Sequence, residues 1–586
     1  MLKLFKHLKS HEWVQFAVSL VFIVAQVWLD LKLPDYMSGI TRLVQTPGSD
    51  MSEIWTQGGY MMLCALGSVA SAVVVGFFAA RIAASFSQRL RSDLFHQVES
   101  FSMEEINRFS TSSLITRSTN DVTQIQMLIT MGLQMIIKAP IMTVWAITKI
   151  AGKGFEWSMA TGVAVLVMVL MIAFVMIFVI PKFRRMQTLT DNLNKVTREN
   201  LTGLRVVRAY NAEDFQEAKF EKANAELTET QLFTSRSMAI MMPMMNIVMS
   251  GLTLAIYWIG ANLIDAAQAM EKLTIFSNMV VFSAYAMQVI MSFMMLAMMF
   301  ILLPRAAVSA RRINEVLDTE PAIVSGRHTE GLPGETGTVE FSHVSFQYPG
   351  AAEYVLQDVS FTAKQGETVA FIGSTGSGKS TLINLIPRFF DATEGEVRID
   401  GVNVKDYALN ALYNKIGYVP QKAALFMGSV SFNVNYGENG KMPASEEEVK
   451  KAVAIAQGTD FVETMDGQYE ASIAQSGSNL SGGQKQRLAI ARAICRKPEI
   501  YIFDDSFSAL DYKTDRVLRT ALQKETAGVT SLIVAQRIGT IMDADRIIVL
   551  DEGRVVGSGT HKELLEKCQV YREIAMSQLS EEELVS

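Results

Sequence analysis

The chain has 586 residues, of which 49% are hydrophobic and only 19% are charged. That balance is too apolar for an ordinary soluble protein and predicts a membrane-embedded half joined to a soluble half. The net charge of −6 argues against nucleic acid as the main partner, and three scattered cysteines (Cys64, Cys495, Cys568) offer neither a metal-binding spacing nor a disulfide framework.

The start, "MLKLFKHLKSHEW", is basic and polar, and no small-residue cleavage site follows it, so it reads as a cytoplasmic arm rather than a cleavable signal. A membrane-crossing helix needs about 20 apolar residues. Six stretches meet that need, at 13–33, 58–80, 127–150, 157–180, 238–264 and 275–303. Lys and Arg cluster in the arm and after the second, fourth and sixth spans ("RIAASFSQRLR", "PKFRRMQ", "PRAAVSARR"), while the intervening loops are short or acid-leaning. This alternation places both termini on the cytoplasmic side of the cell membrane, with the lipid bilayer around the spans.

The cytoplasmic connections after spans two and four are long and rich in helix formers, so these spans are expected to continue as helices outside the membrane. Two polar stretches, 111–122 ("TSSLITRSTNDV") and 199–213 ("ENLTGLRVVRAYNAE"), are expected to break them with a transverse turn. Of the 34 methionines, 29 lie at or before Met299, many in "MAIMMPMMNIVM" and "MSFMMLAMMF" on spans five and six. Such flexible, polarisable faces suit either a cavity for varied hydrophobic compounds or ordinary apolar packing. Lys138 in mid-span is a functional candidate by default, with pairing to a neighbouring helix as the alternative.

After residue 317 the composition changes. Residues 318–337 ("DTEPAIVSGRHTEGLPGETG") read as a linker, and 338–586 alternate β-rich and helical runs, as in an α/β domain. The strand "TVAFI" leads into Gly373, Ser374, Thr375, Gly376, Ser377, Gly378, Lys379, Ser380 and Thr381, and then into a helix. This is a phosphate-binding loop in its required strand–loop–helix setting: backbone amides wrap the phosphates, Lys379 reaches the outer ones and Ser380 ligates Mg²⁺. "IYIFDD" carries Asp504 at the end of a buried strand, where it holds the metal's hydration shell. Between them, Leu480, Ser481, Gly482, Gly483 and Gln484 open a second glycine-bearing helix. One nucleotide does not need two such helix ends, which suggests a site completed between two domains.

Over nearly its whole length the chain resembles an ATP-binding cassette exporter half-transporter. The resemblance implies an all-α six-helix membrane domain (1–317), the linker, and an α/β P-loop nucleotide-binding domain (338–586). It also implies two such chains around two ATP molecules with Mg²⁺, each ATP held by one chain's phosphate loop and the other's LSGGQ. Tyr348 matches the aromatic that stacks on adenine, Gln421 the glutamine that touches Mg²⁺, and "SALD" with Asp511 the loop that crosses the dimer seam. The breaks at 111–122 and 199–213 fall where coupling helices dock.

Two positions depart from the family pattern. Its general base is a glutamate, where this chain has Asp505, and its switch histidine falls at Gln536. The shorter carboxylate is set back by about 1.5 Å, and an amide carries no proton or charge. The acidic residue usual shortly before LSGGQ is also missing. The expectation is a site that binds ATP and hydrolyses it poorly, in a heterodimer whose partner half-transporter is completed by this chain's Ser481 and Gly483. A homodimer using Asp505 as a slow base, and an ATP-gated regulatory subunit, are the alternatives. The cargo is expected to be hydrophobic, a drug or lipid, and no peptidase-like segment precedes the first span.

Overall fold

The computed structural model describes residues 3–46, 48–151 and 154–579. They form two compact units, Met1–Glu99 with Thr111–Thr319, and Ser100–Ser110 with Glu320–Ser586.

The first unit is helical: α1 (Ser10–Gln45) and α2 (Met51–Glu99), then, after the short α3 (Met103–Phe109) that belongs to the second unit, α4 (Thr111–Thr116), α5 (Val122–Ile150), α6 (Phe155–Phe174), α7 (Ile180–Thr202), α8 (Leu204–Ala209), α9 (Glu213–Ala266) and α10 (Ala269–Leu317). Among the described residues six helical runs are long and apolar enough to cross a membrane. The 54-residue α9 is roughly 80 Å long, well over twice a ~30 Å hydrocarbon core, so it extends beyond the bilayer. α6 passes into α7 through a π-turn at Val175–Val179, just before Pro181, which has no N–H to continue the helical ladder.

The turn expected over 111–122 lies elsewhere. The chain reverses at 100–110 instead: Ser102 and Glu105 cap α3 reciprocally, and Ser110 takes a positive φ of 60°. Residues 111–122 stay helical, with one π-turn at Arg117–Asp121. Their hydroxyls explain why: Thr116, Ser118 and Thr119 each donate to the carbonyl four residues back, at 3.0, 2.9 and 2.7 Å, so the polar run is satisfied inside the helix. Within 199–213 the chain does break, into α8 and a left-handed Asn211 before α9.

The methionines divide between two roles. Met142, Met168, Met245 and Met279 are core, packed with Trp157, Phe282 and Tyr285, whereas Met242, Met291 and Met298 are exposed. Lys138 pairs with Asp30 of α1 at 3.1 Å.

Among the described residues the second unit carries twelve strands: β1 (Val339–Phe346), β2 (Leu356–Ala363), β3 (Thr368–Gly373), β4 (Glu394–Ile399), β5 (Val402–Asn403), β6 (Ile416–Val419), β7 (Gly428–Ser429), β8 (Ser472–Ile473), β9 (Ile500–Asp504), β10 (Thr530–Val534), β11 (Arg546–Asp551) and β12 (Arg554–Gly559). The central sheet runs β12-β11-β3-β10-β9-β6, parallel except for β12. Every residue of β9 is buried, as a strand covered on both faces requires. An antiparallel sheet, β2-β1-β4-β5, shares a core with residues 382–386. A separate core gathers helix Gly482–Cys495 with Glu446–Ile455 and the far face of β9. Residues 320–337 are mostly irregular yet tied down, with the amides of Gly326, His328 and Leu332 bonded to the carbonyls of Tyr407, Asp406 and Asp400.

Candidate nucleotide site

The sheet order builds the site. β10 lies between β3 and β9, and its Val534 is level with Phe371 on one side and Asp504 on the other. The phosphate loop after β3, Gln536 after β10, Asp504 and Asp505 at the end of β9, and Gln421 after β6 therefore share one edge, the carboxyl ends of parallel strands.

Glycine is required in the loop for two different reasons. A Cβ at Gly373 would lie 2.0 Å from the Leu550 carbonyl oxygen of β11, whereas Gly376 has open space but a φ of +88°. The Lys379 ammonium is buried and folded back on its own loop, donating to the Gly373 and Ser374 carbonyls at 2.9 and 2.7 Å and to Ser377 Oγ at 3.2 Å. Incoming phosphate oxygens would replace those carbonyls as its acceptors.

Ser380 Oγ donates to Asp504 Oδ1 at 2.9 Å, so the hydroxyl and carboxylate expected to hold the metal are already in contact. The adjacent Asp505 is also buried, with a left-handed φ of 45°. Its Oδ2 accepts two amide bonds, from Gln421 Nε2 at 3.2 Å and Gln536 Nε2 at 2.8 Å. The two departing positions thus bond each other.

Burial pushes the Asp504 carboxyl above the usual carboxylate range, with the Ser380 bond opposing and Asp505 reinforcing the rise. Burial pulls the Lys379 ammonium down, opposed by Asp505 and then Asp504. The buried Asp504 carboxylate, the Ser380 hydroxyl and the Gln421 amide oxygen form a hard-oxygen donor set that fits Mg²⁺ beside a triphosphate.

A stability consequence follows. A carboxyl whose folded pKa lies above its unfolded value of about 3.9 favours folding fully below that value, and the gain is lost as pH rises through the folded pKa. At pH 7, well above that unfolded value, burial of Asp504 therefore costs stability in the nucleotide-free protein. Asp504→Asn is expected to raise its Tm by roughly 2–4 °C, for about 1 kcal/mol of relief. The same substitution should abolish the extra Tm gain that Mg²⁺ gives in the presence of ATP. Thermal unfolding by fluorimetry checks both, and an unchanged or lower nucleotide-free Tm would count against this account.

Tyr348, just past β1, is half-buried, edge-on to Phe346 and Phe390, and its hydroxyl lies 3.0 Å from Thr381 Oγ1. Ser481 caps helix Gly482–Cys495 in a reciprocal pair with Gln484, at 3.3 and 2.8 Å. Among the described hydrogen bonds none joins Ser481, Gly482, Gly483 or Gln484 to the phosphate loop, and Ser481 and Gly482 are exposed. Gly483 instead faces the SALD turn, its Cβ direction 3.4 Å from the Ala509 carbonyl oxygen. Asp511 caps the next helix, Tyr512–Glu525.

One positioning contact has no signature in the sequence. Gln578 donates to the Gln536 carbonyl and accepts from the Ile538 amide, both at 2.8 Å, across some forty residues of chain. A glutamine near the C-terminus carries no motif that marks such a clamp.

Comparison with known proteins agrees with this architecture. The family model for the ABC transporter transmembrane region matches residues 16–293, and the ABC transporter model matches residues 356–508. An uncharacterized ABC transporter ATP-binding protein of Mycobacterium tuberculosis is 40% identical over 522 residues, 89% of this chain and 87% of the relative. An ATP-dependent lipid A-core flippase of Pseudomonas fluorescens is 30% identical over 575 residues, 96% of this chain and 93% of the relative. The structure of a bacterial Atm1-family ABC exporter with ATP bound superposes with a TM-score of 0.79 at 23% identity, over 97% of this chain and 99% of that one. Six membrane-crossing helices followed by a phosphate-loop α/β unit, with relatives matched along almost the full length, make the chain a multi-pass membrane member of the ABC transporter family.

Proposed function

We propose that this chain is one half of a heterodimeric ATP-driven exporter of hydrophobic compounds, and that its own ATP site binds nucleotide but turns it over slowly. The observation that carries this is the Asp505–Gln536 bond of 2.8 Å, with Gln421 donating to the same oxygen. At the position of the general base the carboxylate is short, and its partner is a neutral amide. The binding parts are retained: loop residues 373–381, Lys379 for the outer phosphates, and Tyr348 for adenine. Ser380, Gln421 and Asp504 would hold Mg²⁺, which offsets phosphate charge when bound.

The exposed Ser481 and Gly482, with Gly483 beside them, would complete the partner's site, where most turnover takes place. Residues 1–317 would carry the cargo and 338–586 the nucleotide. Both termini would face the cytoplasm of a cell-membrane transporter, on the strength of the basic stretches after spans two, four and six. Closure of the two nucleotide units would shift the spans from inward- to outward-facing, driven by the difference in ATP affinity between the two states. The named function of the flippase relatives supports the lipid end of the cargo range.

The test is turnover by the purified full-length chain, alone and mixed with a candidate partner half-transporter. The lone chain should be nearly idle and the mixture active. Vigorous turnover by the lone chain, abolished by Asp505→Asn, would replace this reading with a homodimer.

A further inference from the structure

A cluster of charged and polar side chains lies inside the apolar part of the first unit. Asp30 and Asp35 of α1 meet side chains from three other helices. Asp30 Oδ2 pairs with Lys138 of α5 at 3.1 Å, its Oδ1 accepts from Ser68 of α2, and its carbonyl accepts from Gln288 of α10 at 3.2 Å. Asp35 Oδ2 pairs with Lys149 of α5 at 2.8 Å, and its Oδ1 accepts from Tyr285 of α10 at 2.7 Å. Packing alone does not require this. An ion pair removed from water is often no better than apolar residues of the same volume, and charges at bilayer depth mark cargo or ion pathways.

The unused hydrogen-bonding capacity of the cluster indicates what it would take. Both oxygens of each aspartate are engaged. Lys138 has three N–H donors, and Asp30 takes one of them among the described contacts. Lys149 likewise gives one to Asp35. Gln288 Oε1 is buried without a partner. The Lys138 and Asp30 side chains remain 18% and 19% exposed within the packed unit, so the pair is not sealed off. The spare groups are thus the cationic donors of the partly exposed Lys138 and, next to Asp30, one buried amide acceptor on Gln288.

We infer that the Lys138–Asp30 cluster, with Gln288, is a binding site for the headgroup of a lipid-like molecule that carries an anionic group and a hydroxyl. The anion takes the free donors of Lys138, the hydroxyl donates to Gln288 Oε1, and the acyl chains lie along apolar helix surface. This rests on the reading of the chain as an exporter of hydrophobic compounds and narrows its cargo to acidic amphiphiles.

The test is native mass spectrometry of the detergent-solubilised full-length chain with phosphatidylglycerol, phosphatidylcholine and diacylglycerol of matched acyl chains. Phosphatidylglycerol is expected to bind about tenfold more tightly than either of the others, and millimolar inorganic phosphate should not displace it. The double variant Asp30→Leu with Lys138→Met removes both charges together, so it leaves no orphan ion to unfold the bundle; it should lose that preference with Tm unchanged. Lys138→Arg, with Asp30 intact, should keep it. Equal binding of the three lipids by the wild type, displacement by phosphate, or a preference that survives in the double variant would overturn the proposal. No nucleotide enters the measurement, so its outcome is separate from that of the ATP-site reading.

Discussion

Replacing Asp505 by Glu together with Gln536 by His is expected to raise ATP turnover at this chain's own site by about 10²-fold, with ATP affinity unchanged. Asp505 ends about 1.5 Å short of where a glutamate carboxylate would reach, and a misplacement of that order at a reacting centre costs about 10²-fold in rate. Its Oδ2 is also held by two neutral amides, Gln421 and Gln536, neither of which carries a charge or a transferable proton. A histidine at 536 can supply both, at the position from which Gln536 now bonds Asp505. Either change alone should achieve less, because a longer carboxylate still faces an amide, and an imidazole still faces a short carboxylate. The measurement is single-turnover hydrolysis of labelled ATP with protein in excess. A double variant no faster than the wild type would mean that the slow step lies outside this pair.

The second large effect is in the phosphate loop. Gly373→Ala is expected to destabilise the nucleotide-binding unit by about 3 kcal/mol and to abolish ATP binding. Its Cβ would sit 2.0 Å from the Leu550 carbonyl oxygen and 2.8 Å from Ser377 Oγ. The first of these belongs to β11, paired directly with β3, so the obstacle is backbone in a central sheet and has nowhere to go. Gly376→Ala meets no atom within 4 Å and carries only the left-handed penalty of its φ of +88°, about 1–2 kcal/mol. It should fold with a lowered Tm and keep measurable ATP binding. Thermal unfolding and fluorescent-nucleotide titration of both variants check the ranking. The idea fails if the two behave alike.

Much of the molecule is legible in the chain because its signals are local. Twenty apolar residues in a row define a span whatever surrounds them, and "GSTGSGKS" after "TVAFI" defines a phosphate loop through backbone requirements alone. The misplaced turn at 111–122 shows the limit of that reading. A polar run predicts a break, but hydroxyls bonding back to the preceding turn keep it helical, and the reversal falls on Ser102 and Ser110. Composition does not tell which partner a serine will choose. Lys138 is similar: its position in mid-span is visible in the sequence, but its pairing with Asp30 depends on how α1 packs against α5.

The sequence by itself determined the six apolar helices, the phosphate loop, the buried strand ending in Asp504 and the two substituted positions, since each is a property of neighbouring residues. Tertiary structure alone decided that Gly373, Gln536, Asp505 and Gln421 share one edge, because that depends on β10 inserting between β3 and β9. It also decided that Gln536 donates to Asp505 and that Gln578 fixes Gln536, contacts that span 31 and 42 residues of chain. Side chains so far apart in sequence meet only when hydrophobic burial fixes the order of the strands, and no local pattern records that order.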